Sequence, residues 1–184
     1  KEALTNSTPP QETIYSFKEE AKAQAILAAL RAHEEANKWL FESKFTTEHT
    51  GITEFMGIPT RIRCDMINDK YIVDLKTTSN ASPKDFGRYC ENNGYLIQAA
   101  WYCMMSKLID GLDREFKIIA VETESPYEVG LYTIPHAIIL KEQTKIKKYL
   151  VKYKQCLESN YWPRLCKEFQ DIAISTWYFQ TDVL

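Results

Sequence analysis

The chain contains no apolar run approaching the roughly 18 residues needed to cross a bilayer, and no basic start followed by an apolar stretch and a small-residue cleavage site. A spanning or secreted protein is therefore not indicated, and a cytoplasmic one is expected. Cysteine is sparse and unpatterned: Cys64, Cys90, Cys103, Cys156 and Cys166 are odd in number and none sits in a CxxC pair. That argues against a zinc ribbon and a disulfide framework, and an iron–sulfur centre would need four thiolates gathered from scattered positions. Reduced thiols fit the same compartment. Charge of one sign is also lacking, because 23 Lys and Arg against 25 Asp and Glu leave a net charge of −2. A uniformly basic nucleic-acid coat protein is thereby disfavoured, but DNA binding is not, since affinity for phosphate depends on where cations cluster. No internal repeat, low-complexity tract or linker interrupts the 184 residues, so they read as one domain large enough to bury a core. The first residue is Lys rather than Met, so a fragment of a longer chain is expected.

What is present is ordinary for a globular protein, with 45% hydrophobic and 26% charged residues. Residues 1–11, with Pro9–Pro10, read as a flexible lead-in. From Glu12 to Ser43 the spacing predicts a helix with Ile26, Leu30, His33, Asn37 and Leu40 on one face. Three strands follow, Phe45–Phe55, Thr60–Ile67 and Tyr71–Thr77, punctuated by Gly57–Pro59 and Asn68–Asp69. Ser82–Pro83 opens a helical stretch to about Leu108, with Gly94 as a break. Phe116–Val121 and Val129–Ile134 read as strands, and Ala137–Leu157 as an amphipathic helix. Residues 12–135 thus form a helix–sheet–helix core and 136–184 a C-terminal helical segment, in an α/β fold with a central mixed sheet flanked by helices.

The informative segment is Arg61-Ile-Arg-Cys-Asp65-Met-Ile-Asn-Asp-Lys-Tyr-Ile-Val-Asp74-Leu-Lys76. Residues two apart on a strand share a face, so Asp74 and Lys76 project together. A turn of two or four residues would set Asp65 beside Asp74 on that face, whereas a three-residue loop would separate them. Two carboxylates and an ammonium converging in this way suit phosphodiester hydrolysis with Mg2+, which takes carboxylate and water oxygens and activates a bound water. The backbone carbonyl of Leu75 would complete the metal shell, and Lys76 would orient the attacking water or stabilise the phosphorane. The plain alternative is a solvated Asp–Lys pair worth under about 1 kcal/mol. Further on, Gln98 and Tyr102 in Gly94-Tyr-Leu-Ile-Gln98-Ala-Ala-Trp-Tyr102 are four apart on one helical face, able to reach a phosphate or the metal shell, or else simply to pack.

In combination, Asp, Asp-x-Lys and Gln-x-x-x-Tyr resemble the PD-(D/E)xK nucleases. The resemblance is strongest to the branch with RecE-type exodeoxyribonuclease VIII, lambda-type exonuclease and RecB-like nuclease domains, and above all to the RecE-type group. Gly57-Ile-Pro, Arg61-Ile-Arg63-Cys-Asp65, Asp74-Leu-Lys76-Thr-Thr, Gly94 to Tyr102, and Trp162–Pro163 carry it over residues 25–178. It implies a restriction-endonuclease-like core, metal binding by Asp65 and Asp74, water positioning by Lys76, and support from Gln98 and Tyr102. Glu48 falls where this group has a first-strand glutamate. The implied activity is a Mg2+-dependent double-strand DNA exonuclease of phage or prophage recombination, with Mn2+ as an expected substitute. A homo-oligomeric ring on DNA ends and a single-strand annealing partner are implied as well. The group's upstream metal-site histidine has no counterpart here: His33 reads as a packed or capping residue, His49 as a weaker ligand candidate, and His136 as a helix start.

Charge does cluster in two places. Arg61 and Arg63 share the strand parity of Asp65 and would offer guanidinium forks to phosphates. Lys141, Lys145, Lys148 and Lys152 form a stripe on the last helix, opposite Ile139, Ile146, Leu150, Tyr153 and Leu157. An endonuclease or repair nuclease of the same fold, or a non-catalytic DNA-binding domain, are the competing readings.

Overall fold

The computed structural model describes residues 16–174 and Thr176, which fall into two compact units dividing after Lys147. The expected lead-in, residues 1–11, lies outside them. Helix α1 (Phe17–Ala32) begins at a capping box, in which the Ser16 hydroxyl and the Glu19 carboxylate each bond the other's backbone N–H. The single helix expected to Ser43 is instead broken at His33. Its backbone turns extended (φ −81°, ψ 108°), and its Nδ1 accepts the N–H of Ala36, so the imidazole starts a second short helix, α2 (Glu34–Asn37). A π-helical turn, Lys38–Glu42, carries the chain into the sheet. His33 is thus a capping histidine.

Five strands form one sheet in the order β1 (Thr46–Phe55), β2 (Ile58–Ile67), β3 (Tyr71–Thr78), β4 (Glu115–Glu122) and β5 (Val129–Thr133). All neighbours are antiparallel except β3 and β4, which run parallel. The crossover between these two holds α3 (Pro83–Asn92) and α4 (Tyr95–Asp110), broken at Gly94, whose φ of 75° suits glycine. The last helix, α5 (His136–Ser159), buries Ile139, Glu142 and Ile146 in the first unit. The mixed five-stranded sheet with flanking helices is the α/β architecture expected from the sequence. The helix ends at Ser159, however, and residues 160–174 form neither helix nor strand.

The two faces of the sheet are covered by different layers. On one, Val73, Ile119 and Val121 join Leu30 of α1, Ala36 of α2 and Met66 of β2 in a single cluster, with Trp39, Leu40 and Tyr71 at its border. On the other lies α4, where Tyr102 meets Phe116 edge-on at 6.3 Å between ring centroids. Parity should put Cys64 on the same face as Met66, yet β2 presents Thr60 and Ile62 to α4: Thr60 Oγ1 bonds Met105 Sδ, and Ile62 flanks Gly51 under Ile109. The alternation therefore breaks around Asp65. The opposed residue of β1, Glu48, sits at φ 50°, and the pairing skips it, passing from Thr47↔Met66 to His49↔Cys64. A β-carbon at Gly51 would lie 2.6 Å from Ile109 Cδ1, the end of a side chain that would have to move aside.

Candidate active site

The hairpin between β2 and β3 decides where the carboxylates go. Asn68 N–H bonds the Tyr71 carbonyl, leaving Asp69 and Lys70 as a two-residue loop, and the Asn68 side chain accepts from the N–H groups of Lys70 and Tyr71. An even loop is the case that sets Asp65 opposite Asp74, and the register Met66↔Val73, Ile67↔Ile72 does so. The ladder stops there. Beyond Val73 the strands part, and Asp65 Oδ2 accepts the Leu75 N–H at 3.0 Å in place of a backbone carbonyl. Because the N–H and C=O of one residue in an extended strand point to the same edge, the Leu75 carbonyl faces this fork too.

Asp74 lies deeper, with 1% of its surface exposed. Gln98 of α4 donates to its Oδ1 at 3.2 Å, and the Lys76 ammonium sits 2.6 Å from its Oδ2. That second contact is an ion pair outside ideal hydrogen-bond geometry, so the buried Oδ2 has the Lys76 ammonium as its one charged neighbour among the described residues. Burial raises the Asp74 carboxyl above its ordinary pKa, Lys76 pulls it back, and the charge of Asp65 pushes it up again. Lys76 keeps 17% of its side-chain surface, and its Nζ stands 4.6 Å from the ring centroid of Tyr95. Tyr95 was not singled out in the sequence, although it lies three residues before Gln98 and so on the same side of the helix. Burial, then the adjoining Tyr89 phenol, raise its hydroxyl pKa.

The remaining sequence candidates are dispersed. Glu48 stands across from Asp65, but its carboxylate pairs with Arg63 (3.1 Å) and is largely exposed. Tyr102 packs on Phe116. Arg61 and Arg63 are exposed on the hairpin face away from α4, because the break at Asp65 interrupts the parity they were expected to share. Lys145 pairs with Glu142 at 2.6 Å, whereas Lys141, Lys148 and Lys152 are exposed. His136 opens α5, as expected. Cys64 and Cys103 thiols are pushed up to about 12 and Cys90 to about 11, chiefly by burial, so none is a nucleophile near neutral pH.

The donor set fits Mg2+. A buried carboxylate oxygen without an aligned donor, a second carboxylate across the fork and a backbone carbonyl are all hard oxygen ligands. Among the described residues no group of three or more His, Cys, Asp or Glu is gathered for a metal.

Similar architecture is found in a crystal structure of a candidate exonuclease from Eubacterium rectale, at TM-score 0.67 and 19% identity over 89% of this chain and 66% of that one. The crystal structure of SSO0001 aligns at TM-score 0.36 and 15% identity over 68% of this chain and 64% of that one. The chain thus spans just under two thirds of each of these relatives. No curated protein matches it. Residues 1–173 match the family described as a PDDEXK-like domain of unknown function, and the chain belongs to that family and with it to the PD-(D/E)xK nuclease superfamily.

Proposed function

We propose that the protein is a Mg2+-dependent deoxyribonuclease acting on the ends of double-stranded DNA, in phage or prophage recombination. The observation that carries this reading is the fork between β2 and β3. Asp65 takes over the Leu75 amide, and buried Asp74 is held by Gln98 on one oxygen and by Lys76 on the other. A solvated strand-edge pair would not be buried or braced from a helix. Likeness to the candidate exonuclease of E. rectale in fold supports action at ends.

Asp65, Asp74 and the Leu75 carbonyl would hold the metal, which when bound acidifies a water and offsets charge on the phosphate. The protein's own groups do the rest. Gln98 restrains the rotamer of Asp74 from its Oδ1 side. The Leu75 N–H orients Asp65, whose carboxylate stands in for the missing strand acceptor. Lys76, with its ammonium beside Asp74, is positioned to orient the attacking water or to stabilise charge on the phosphorane oxygens. Exposed Lys141, Lys148 and Lys152 would follow the DNA backbone. A ring of several copies on the duplex and a partner that anneals the exposed single strand complete the reading.

The test is digestion of linear and circular duplex DNA labelled separately at each terminus, with and without Mg2+ and with Mn2+. Metal-dependent release of terminal nucleotides from linear DNA alone is expected. Cleavage of closed circles would identify an endonuclease, and binding without cleavage a non-catalytic domain; either result would refute the exonuclease reading.

A further inference from the structure

A lysine carries its ammonium on a flexible four-carbon stem, and Asp74 restrains only the tip of Lys76. The first turn of α4 adds a second restraint. Gly94, at φ 75°, turns the chain between α3 and α4 so that Tyr95 begins the new helix, and Gln98 follows one turn later. The two side chains bracket the ion pair: Gln98 holds Asp74 from its Oδ1 side, and the Tyr95 ring lies 4.6 Å from the Lys76 ammonium. That ring is itself held, meeting Tyr89 edge-on at 5.7 Å, while Tyr89 stacks on the buried Phe86.

We propose that Tyr95 is a positioning residue, whose ring face fixes the Lys76 ammonium at the point from which it acts on the reacting phosphate. The inference rests on the nuclease reading above. A neutral ring suits the task better than another acid. It attracts the cation through its quadrupole yet leaves the positive charge free for the substrate, whereas a further carboxylate would compete with the phosphate for it. The ring face, rather than the hydroxyl, is the working part, so phenylalanine should serve as well as tyrosine.

Four forms test this in the nuclease assay: the parent, Tyr95→Phe, Tyr95→Leu and the protein with pentafluorophenylalanine in place of Tyr95, which keeps the ring's shape and removes its negative face. Tyr95→Phe should stay within about threefold of the parent. Tyr95→Leu and the fluorinated form should lose roughly 5- to 30-fold in kcat, the span of a desolvated cation–π contact, with KM within about twofold. A second readout needs neither metal nor DNA. The ε-methylene protons of Lys76 should resonate upfield through the ring current in the parent and Tyr95→Phe, and return to ordinary positions in Tyr95→Leu. If Tyr95→Leu does not fold, the fluorinated form, matched to the parent in size, decides the question. Retention of parental kcat by the fluorinated form, or equal losses in it and Tyr95→Phe, would overturn the inference while leaving the nuclease reading intact. Absence of hydrolysis by the parent would remove that reading and the inference with it.

Discussion

Replacing Lys76 by Met keeps the length of the side chain and deletes its charge, and the structure sets the consequence for both stability and activity. Asp74 is 1% exposed, and the Lys76 ammonium at 2.6 Å is the only cation paired with it among the described residues. Removing one member of a buried ion pair typically costs about 3–5 kcal/mol, because the other charge is left without compensation. Lys76 retains 17% of its surface and Gln98 continues to donate to Oδ1, so the low end, about 3 kcal/mol, is expected. The double variant Asp74→Asn/Lys76→Met should recover most of that stability loss, since the stranded charge is gone, yet it should remain at least as impaired in cleavage as Lys76→Met. For Lys76→Met alone the rate loss should be on the order of 10²–10³, the usual effect of deleting one transition-state donor. Urea denaturation followed by circular dichroism in metal-free buffer gives the stabilities, and single-turnover digestion gives the rates. A Lys76→Met cost below about 1 kcal/mol, in the range of exposed pairs, would refute the buried-pair reasoning. Turnover within about tenfold of the parent would refute the catalytic assignment.

Three further outcomes are expected. Gln98→Leu should destabilise by about 1 kcal/mol and lower kcat more than it raises KM, because its amide orients Asp74; steady-state kinetics with a matched melting curve checks both. Asp110→Ala should cost about 1–3 kcal/mol at neutral pH, since Arg114, with 4% of its side chain exposed, loses a two-pronged partner at 2.9 and 2.6 Å. The Arg114 guanidinium holds the Asp110 carboxyl below its ordinary pKa, so its contribution is present above the unfolded-state pKa and fades as pH falls through the depressed one; denaturation of parent and variant across the acid range should converge. Reversing the exposed Lys141 and Lys148 to Glu should weaken binding of all duplex sequences alike and flatten the salt dependence by about 0.9 log units for each phosphate no longer neutralised, with single-turnover cleavage of bound DNA unchanged; an unaltered slope in fluorescence anisotropy would return the stripe to ordinary helix surface.

Strand and helix positions were largely legible, because local chemistry decides them. Asn68 and Asp69 ended β2, Gly94 split the crossover helices, and the alternation of β3 announced its two faces. The break in the first helix is not legible in the sequence, because the 3.6-residue pattern continues past His33 and only the bond from Ala36 N–H to the imidazole starts a new turn there. The place of Tyr95 is not legible in the sequence, because helical spacing says which residues share a face but not that Lys76, nineteen positions earlier, reaches across from a strand.

The order of polar residues alone determined that Asp74 and Lys76 share a strand face, that Asp65 sits one hairpin away, and that Gln98 follows on a helix. These are consequences of backbone periodicity and turn chemistry, which act over a few residues. Tertiary structure decided what those residues can do. It chose the two-residue turn over the three-residue one, parted β2 from β3 so that Asp65 took the Leu75 amide, and turned Arg61 and Arg63 to the far side at the break beside Glu48. It also sank Asp74 beneath α4, where Lys76 offsets the desolvation of the carboxylate and Gln98 braces it. Burial depends on which layers meet, and no local pattern specifies that.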